Sequence, residues 1–168
     1  MLPEDLAGRR RSLVRVLGGM RKVMAVASGG GHWVELRRLM PAFAGSEVLY
    51  VSTEPMADAD LAPARYYRVT NVTRKSRLAF ASTIAEIFAI VRRERPEVVV
   101  TTGAAPGLVA LVLAKLLCGS RTVWIDTVAY TEGMSLSGRL VRPFADAWLV
   151  QWPHLAKPRG PDYWGSVL

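Results

Sequence analysis

Two short stretches of the chain gather side chains able to move a proton or hold an anion. The first, "SGGGHWVEL" (28–36), sets Ser28, Gly29, Gly30 and Gly31 directly before His32. Consecutive glycines let backbone N–H groups approach a ligand closely. Where such a run opens a helix, those groups stand at the positive end of the helix dipole, an arrangement that receives phosphate. A neutral imidazole beside them can take a proton from a hydroxyl or orient one. The competing reading is a tight turn that uses glycine for backbone freedom alone, with His32 as an ordinary hydrogen-bonding residue. The second stretch, "DTVAYTEGMSLSG" (126–138), carries Asp126 and, six residues on, Glu132. Asp126 is either a general base toward a sugar hydroxyl or a hydrogen-bond anchor for its loop. A third stretch, "TTGAAPG" (101–107), adds Thr102 and Gly103.

Several chemistries are excluded by spacing. Counting from Gly29, a dinucleotide fingerprint needs glycine at the position of Val34, and a phosphate-binding P-loop needs a Gly-Lys-Ser/Thr ending that this turn lacks. No serine occupies a Gly-x-Ser-x-Gly elbow. One cysteine, Cys118, and two distant histidines give no structural zinc set, so neither metal nor cofactor is assigned. Cys118 cannot form an internal disulfide, which agrees with a reducing compartment, and it is a poor candidate nucleophile. His154 is read as a surface residue.

These loops need a scaffold, and the pattern between them supplies one. "KVMAVA" (22–27), "EVLYVS" (47–52), "YYRVT" (66–70), "EVVVTT" (97–102), "RTVWID" (121–126) and "AWLVQW" (147–152) read as strands. Helices are expected at about 32–43, 76–94, 106–117 and 137–145. Near-continuous apolar strands alternating with helices imply an α/β fold, a doubly wound, mostly parallel sheet whose ligands sit at the carboxyl ends of the strands. The proline-rich tail "HLAKPRGPDYWGSVL" is expected along the surface or against a partner.

At 168 residues, with 51% hydrophobic and 21% charged side chains, the chain suits one packed domain. Residues 22–168 are assigned to it, and 1–21 to a basic arm. Half of the +8 formal charge falls within the first 22 residues, where Leu6, Leu13, Val14 and Leu17 recur near helical spacing among Arg9, Arg10, Arg11 and Arg15. That is the pattern of an amphipathic helix lying on an anionic membrane surface. The most apolar segment, "APGLVALVLAKLLCG", is interrupted by Lys115 and reads as a buried helix, not a membrane span. Arg15 splits the only apolar core of a signal peptide, so the chain is expected on the cytoplasmic side. The basic arm comes with no base-stacking motif, which argues against nucleic acid.

"SGGGHWVEL", "TTGAAPG" and above all "SLSGRL…FADAWLVQWP" resemble the membrane-recruiting, non-catalytic subunit of the eukaryotic N-acetylglucosaminyltransferase that builds dolichol-linked chitobiose, and its bacterial relatives in capsule and exopolysaccharide synthesis. The resemblance spans residues 22–168. It implies the Rossmann-like, acceptor-side half of a split, inverting GT-B glycosyltransferase, peripheral on the cytoplasmic face of the inner or plasma membrane. A separate catalytic subunit would bind the UDP-sugar, and a lipid-linked saccharide would be the acceptor. In that setting His32 and Asp126 compete for the role of base, while Ser28, Gly29, Gly30, Gly31, Thr102, Gly103 and Glu132 face acceptor or phosphate. A scaffold that only recruits the catalytic chain is the alternative. Where many relatives carry Glu-Ser at the end of the fifth strand, this chain has Asp126-Thr127.

Overall fold

The computed structural model describes residues 21–55, 61, 63–71 and 76–167. The basic arm, with Arg9, Arg10, Arg11 and Arg15, lies outside the described residues. Among these residues seven strands form one sheet: β1 (Lys22–Ala27), β2 (Glu47–Ser52), β3 (Arg65–Arg68), β4 (Val98–Thr101), β5 (Arg121–Ile125), β6 (Ala147–Val150) and β7 (Asp162–Tyr163). Four α-helices accompany them: α1 (Gly31–Arg38), α2 (Arg77–Glu94), α3 (Ala104–Cys118) and α4 (Leu136–Leu140). The strand order is β3-β2-β1-β4-β5-β6-β7, and every pairing is parallel.

The period of two along each strand divides the core. In β1, Met24 and Val26 face the layer of α2 and α3, where they meet Ile87, Val91, Ala110 and Leu111. Val23, Ala25 and Ala27 face the other side with Leu36 of α1, Phe43 and Tyr50. Both faces are covered, as parallel strands of unbroken apolar sequence require.

Two expected helices are shorter than their apolar patterns, each for the same reason. Pro41 and Pro143 close α1 and α4 early and start short 3₁₀ turns at Met40–Phe43 and Arg142–Phe144. The tail also differs from expectation. Asp162 and Tyr163 pair with Leu149 and Val150 as a two-residue edge strand.

An ionic cluster ties the amino-terminal edge of the sheet to the end of α2. The buried Glu94 carboxylate accepts from Lys22 Nζ and Arg65 Nη1, each at 2.7 Å, and from the Tyr67 hydroxyl at 2.6 Å. Burial pushes the Glu94 pKa up, but the Lys22 and Tyr67 hydrogen bonds and the nearby cations outweigh it and hold the group below the usual carboxylate range. Asp146 and Glu86 are likewise held low against burial, Asp146 by Lys115 and Thr122, Glu86 by Thr70 and Ser82. A folded-state pKa below the unfolded one gives stability that is present above the ordinary carboxylate pKa of about 4 and lost as pH falls through the lowered values. Melting curves between about pH 6 and pH 3 should therefore show Tm dropping steeply below about pH 4, with a shallower drop in Glu94→Gln. A flat profile in the unsubstituted chain would contradict this assignment.

Candidate active site

The strand order reverses between β1 and β4, and at such a switch point the two following loops diverge to leave a crevice. His32 enters it as the second residue of α1. Its Nδ1 lies 2.8 Å from the Thr102 carbonyl oxygen, and the Thr102 hydroxyl donates to the His32 carbonyl at 2.7 Å. A carbonyl only accepts, so Nδ1 carries a proton, and in the neutral form of the ring it is Nε2 that holds the lone pair. That is the tautomer a general base needs.

Gly103 is required beside this ring twice over. Its φ of 123° lies in the region that side chains avoid, and a Cβ there would stand 2.9 Å from His32 Cε1 and 3.0 Å from Nδ1. His32, Thr102 and Gly103, drawn from stretches seventy residues apart in sequence, form one unit.

The glycine turn is differently disposed from the expected phosphate cradle. The Gly29 N–H donates to Thr53 Oγ1 at 2.8 Å and the Gly30 N–H to Glu54 Oε1 at 2.7 Å. A carboxylate of the chain itself sits where an anion would, and a side chain on Gly29 would collide with it. Gly30, at φ 67°, makes the turn into α1, and Ser28 is half-buried at the end of β1.

Asp126 is 2% exposed and fully engaged. Oδ1 accepts from Ser135 Oγ at 2.6 Å and from Trp124 Nε1 at 3.2 Å, and Oδ2 accepts from the Ser135 N–H at 2.8 Å. Ser135 in turn caps α4 by accepting from the Gly138 N–H at 2.9 Å. This carboxylate pins both ends of the 127–135 loop, which is the anchoring arrangement.

Sequence reasoning missed Glu35, buried on α1 inside the same "SGGGHWVEL". Thr127 Oγ1 donates to its Oε1 at 2.6 Å, and Gln151 Nε2 donates to its Oε2 at 2.7 Å and to the Asp126 carbonyl at 3.0 Å. Gln151 Oε1 then accepts from the Val167 N–H at 2.9 Å. The network joins the "HWVEL", "DT" and "VQWP" segments and the tail. An acidic residue directly before the core residue Leu36 was the available signal.

Glu132 is not brought to His32. It lines a cavity of about 1130 Å³ between the 129–134 loop, α4 and the tail, together with Trp148 and four cations, Arg139, Arg142, Lys157 and Arg159. His154, exposed as expected, accompanies them, with Nε2 2.6 Å from the Thr131 carbonyl oxygen. Among the described residues no group of three or more His, Cys, Asp or Glu is placed to hold a metal ion.

A family model described as "Oligosaccharide biosynthesis protein Alg14 like" matches residues 53–167. The UDP-N-acetylglucosamine transferase subunit ALG14 of Eremothecium gossypii is 33% identical over 183 residues, covering 90% of this chain and 81% of that protein. The human subunit of the same name is 24% identical, covering 87% and 82%. Among solved structures, Acinetobacter baumannii MurG superposes with a TM-score of 0.60 at 14% identity, over 87% of this chain and 44% of MurG. A putative UDP-N-acetylglucosamine 2-epimerase from Listeria monocytogenes gives 0.54 at 15%, over 80% and 39%. At such identities the likeness shows the fold alone, one Rossmann-like half of the GT-B arrangement, and the chain spans less than half the length of these structures.

Proposed function

Since the chain belongs to the family of Alg14-like oligosaccharide biosynthesis proteins, we propose that it is the acceptor-side, membrane-held subunit of a two-component inverting glycosyltransferase. The pair moves a sugar from a UDP-sugar to a polyprenyl-diphosphate-linked saccharide in polysaccharide synthesis, at the cytoplasmic face. The observation that carries this reading is the His32–Thr102–Gly103 unit at the switch point, an imidazole whose Nδ1 is tied to the Thr102 carbonyl so that Nε2 is the nitrogen left to take a proton.

In this mechanism His32 Nε2 takes the proton from the acceptor hydroxyl as that oxygen attacks the anomeric carbon. UDP departs from the opposite face, held by the donor-binding partner. Asp126 supports the site by fixing the 127–135 loop. The acceptor diphosphate is met by the cavity of Arg139, Arg142, Lys157 and Arg159, because Glu54 already occupies the glycine turn. Arg9, Arg10, Arg11 and Arg15 add electrostatic attraction to anionic lipid.

Coexpression with a donor-binding subunit and assay against a panel of UDP-sugars tests the assignment. The pair is expected to transfer sugar, and the chain alone to transfer none from any donor of the panel. Transfer by the isolated chain would overturn it. Gly103→Ala tests the unit within the pair. Strain at this φ is worth about 1–3 kcal/mol, and the displaced His32 ring should lower turnover about 10²-fold. Unchanged turnover would indicate a scaffold that lends no chemistry.

A further inference from the structure

Glu54 reaches the glycine turn from a segment that is itself held in place. The Glu54 N–H donates to Ser52 Oγ at 3.2 Å, the Tyr66 hydroxyl donates to the Glu54 carbonyl at 2.5 Å, and the neighbouring Thr53 hydroxyl accepts from the Gly29 N–H at 2.8 Å. From this base the carboxylate places Oε1 on the Gly30 N–H, at the start of α1, where the helix dipole favours a negative charge. Among the described residues no donor is placed on Oε2. In front of the turn there is room, since a Cβ built on Gly30 or on Gly31 would meet nothing within 4 Å. The turn thus has a carboxylate at its Gly30 end and the His32 imidazole at the other, with open space over the glycines.

We propose that Glu54 determines which end of the acceptor enters the site: its carboxylate bars phosphate from the glycine turn and presents Oε2 to a hydroxyl of the reacting sugar. The proposal rests on the acceptor-side reading above and adds a specificity-determining residue to it. Charge decides the first half. A helix N-terminus with unspent N–H groups receives phosphate, but a second anion brought onto one already seated meets like-charge repulsion at close range. The diphosphate is left to pair with Arg139, Arg142, Lys157 and Arg159 in the cavity beside the 129–134 loop. The second half follows from what each group can donate. An ionised carboxylate only accepts, and a sugar ring carries several hydroxyl donors. One hydroxyl on Oε2 holds the ring over the glycines while another faces His32 Nε2, so the sugar is fixed at two points before it attacks. The same carboxylate repels a sugar that carries a carboxylate of its own, which selects a neutral reacting sugar over a uronic acid.

Two measurements test this, with melting curves to check that each variant folds. In the first, the backbone amides of the full chain are followed by NMR as inorganic pyrophosphate is added. In the unsubstituted chain the shifts are expected around the four cations, with Gly29, Gly30 and Gly31 unmoved. In Glu54→Ala the glycine amides should move as well, with an apparent Kd at least roughly tenfold tighter than at the same residues of the unsubstituted chain. Glycine amides that behave alike in the two chains would overturn the proposal. In the second, Glu54→Gln is assayed in the assembled pair, where it keeps the shape and an oxygen for Gly30 but loses the charge. Its kcat/KM for a neutral acceptor should fall by about tenfold, with the loss in KM, and its preference over an acceptor ending in a uronic acid should narrow by a similar factor. An unchanged KM would overturn the proposal, and so would a loss of about 10²-fold in kcat, which would make Glu54 the base. Pyrophosphate binding needs neither donor nor partner subunit. A pair that transfers nothing therefore ends the transfer reading, while the first measurement still decides the role of Glu54.

Discussion

Replacing His32 with alanine is expected to lower kcat of the assembled enzyme by about 10²–10⁴-fold, the contribution of a positioned general base. The ring is half-buried at the start of α1, and its removal leaves no buried charge. Its one lost side-chain hydrogen bond, from Nδ1 to the Thr102 carbonyl, is worth about 1 kcal/mol net. The chain should therefore stay folded and associated with its partner. Chemistry and structure separate further in rescue experiments. Imidazole added to His32→Ala should recover part of the rate, since a free base can occupy the vacated space beside Gly103. His32→Asn, whose amide can still donate to Thr102 but offers no basic nitrogen, should remain as slow as alanine. Turnover within twofold of wild type in both variants would remove His32 from the mechanism and return the chain to a recruiting scaffold.

The strands were legible because a parallel sheet buried on both faces demands unbroken apolar runs, and "VMAVA", "VLYVS" and "VVVT" supply little else. α2 and α3 were legible in extent within two residues, but α1 and α4 were not legible in length, since their apolar pattern continues past Pro41 and Pro143 while the backbone does not. β7 gave no signal. Two residues behind Pro161 owe their pairing to the edge that β6 presents, not to their own propensity. At the site, local sequence told which residues sit at strand ends but not which groups fill one another's space. Glu54 reaches the glycine turn from 24 positions away, so the turn reads as a vacant anion seat until the fold puts a carboxylate in it. The two roles open to Asp126 differ only in exposure and in what donates to it, and neither is a property of residues 124–135 taken as a string. Glu35 was hidden for a related reason. A buried carboxylate is tolerated only when donors converge on it, and its donors, Thr127 and Gln151, come from two other strand ends.

Asp126→Asn should act mainly on stability. The carboxylate receives the Ser135 N–H, the Ser135 hydroxyl and the Trp124 indole N–H, all in the interior. An asparagine amide can accept with one oxygen only, and its NH₂ group then faces a donor. Leaving one or two buried donors without an acceptor costs about 1–3 kcal/mol each. Ser135 also loses the orientation in which it caps α4, worth about 1 kcal/mol more. For a chain of this length each kcal/mol moves Tm by roughly 2–4 °C, so a fall of about 5–15 °C is expected. Gly138 packs close to the same carboxylate, since a Cβ there would stand 2.8 Å from Oδ1. Gly138→Ala should accordingly reproduce the loss of Tm with the carboxylate still present. If Asp126 only anchors its loop, both variants should regain most of their turnover when assayed well below their melting temperatures, and Gly138→Ala should track Asp126→Asn. A folded Asp126→Asn with near-native Tm and no turnover would make Asp126 the base, and would reduce His32 to the residue that holds Thr102.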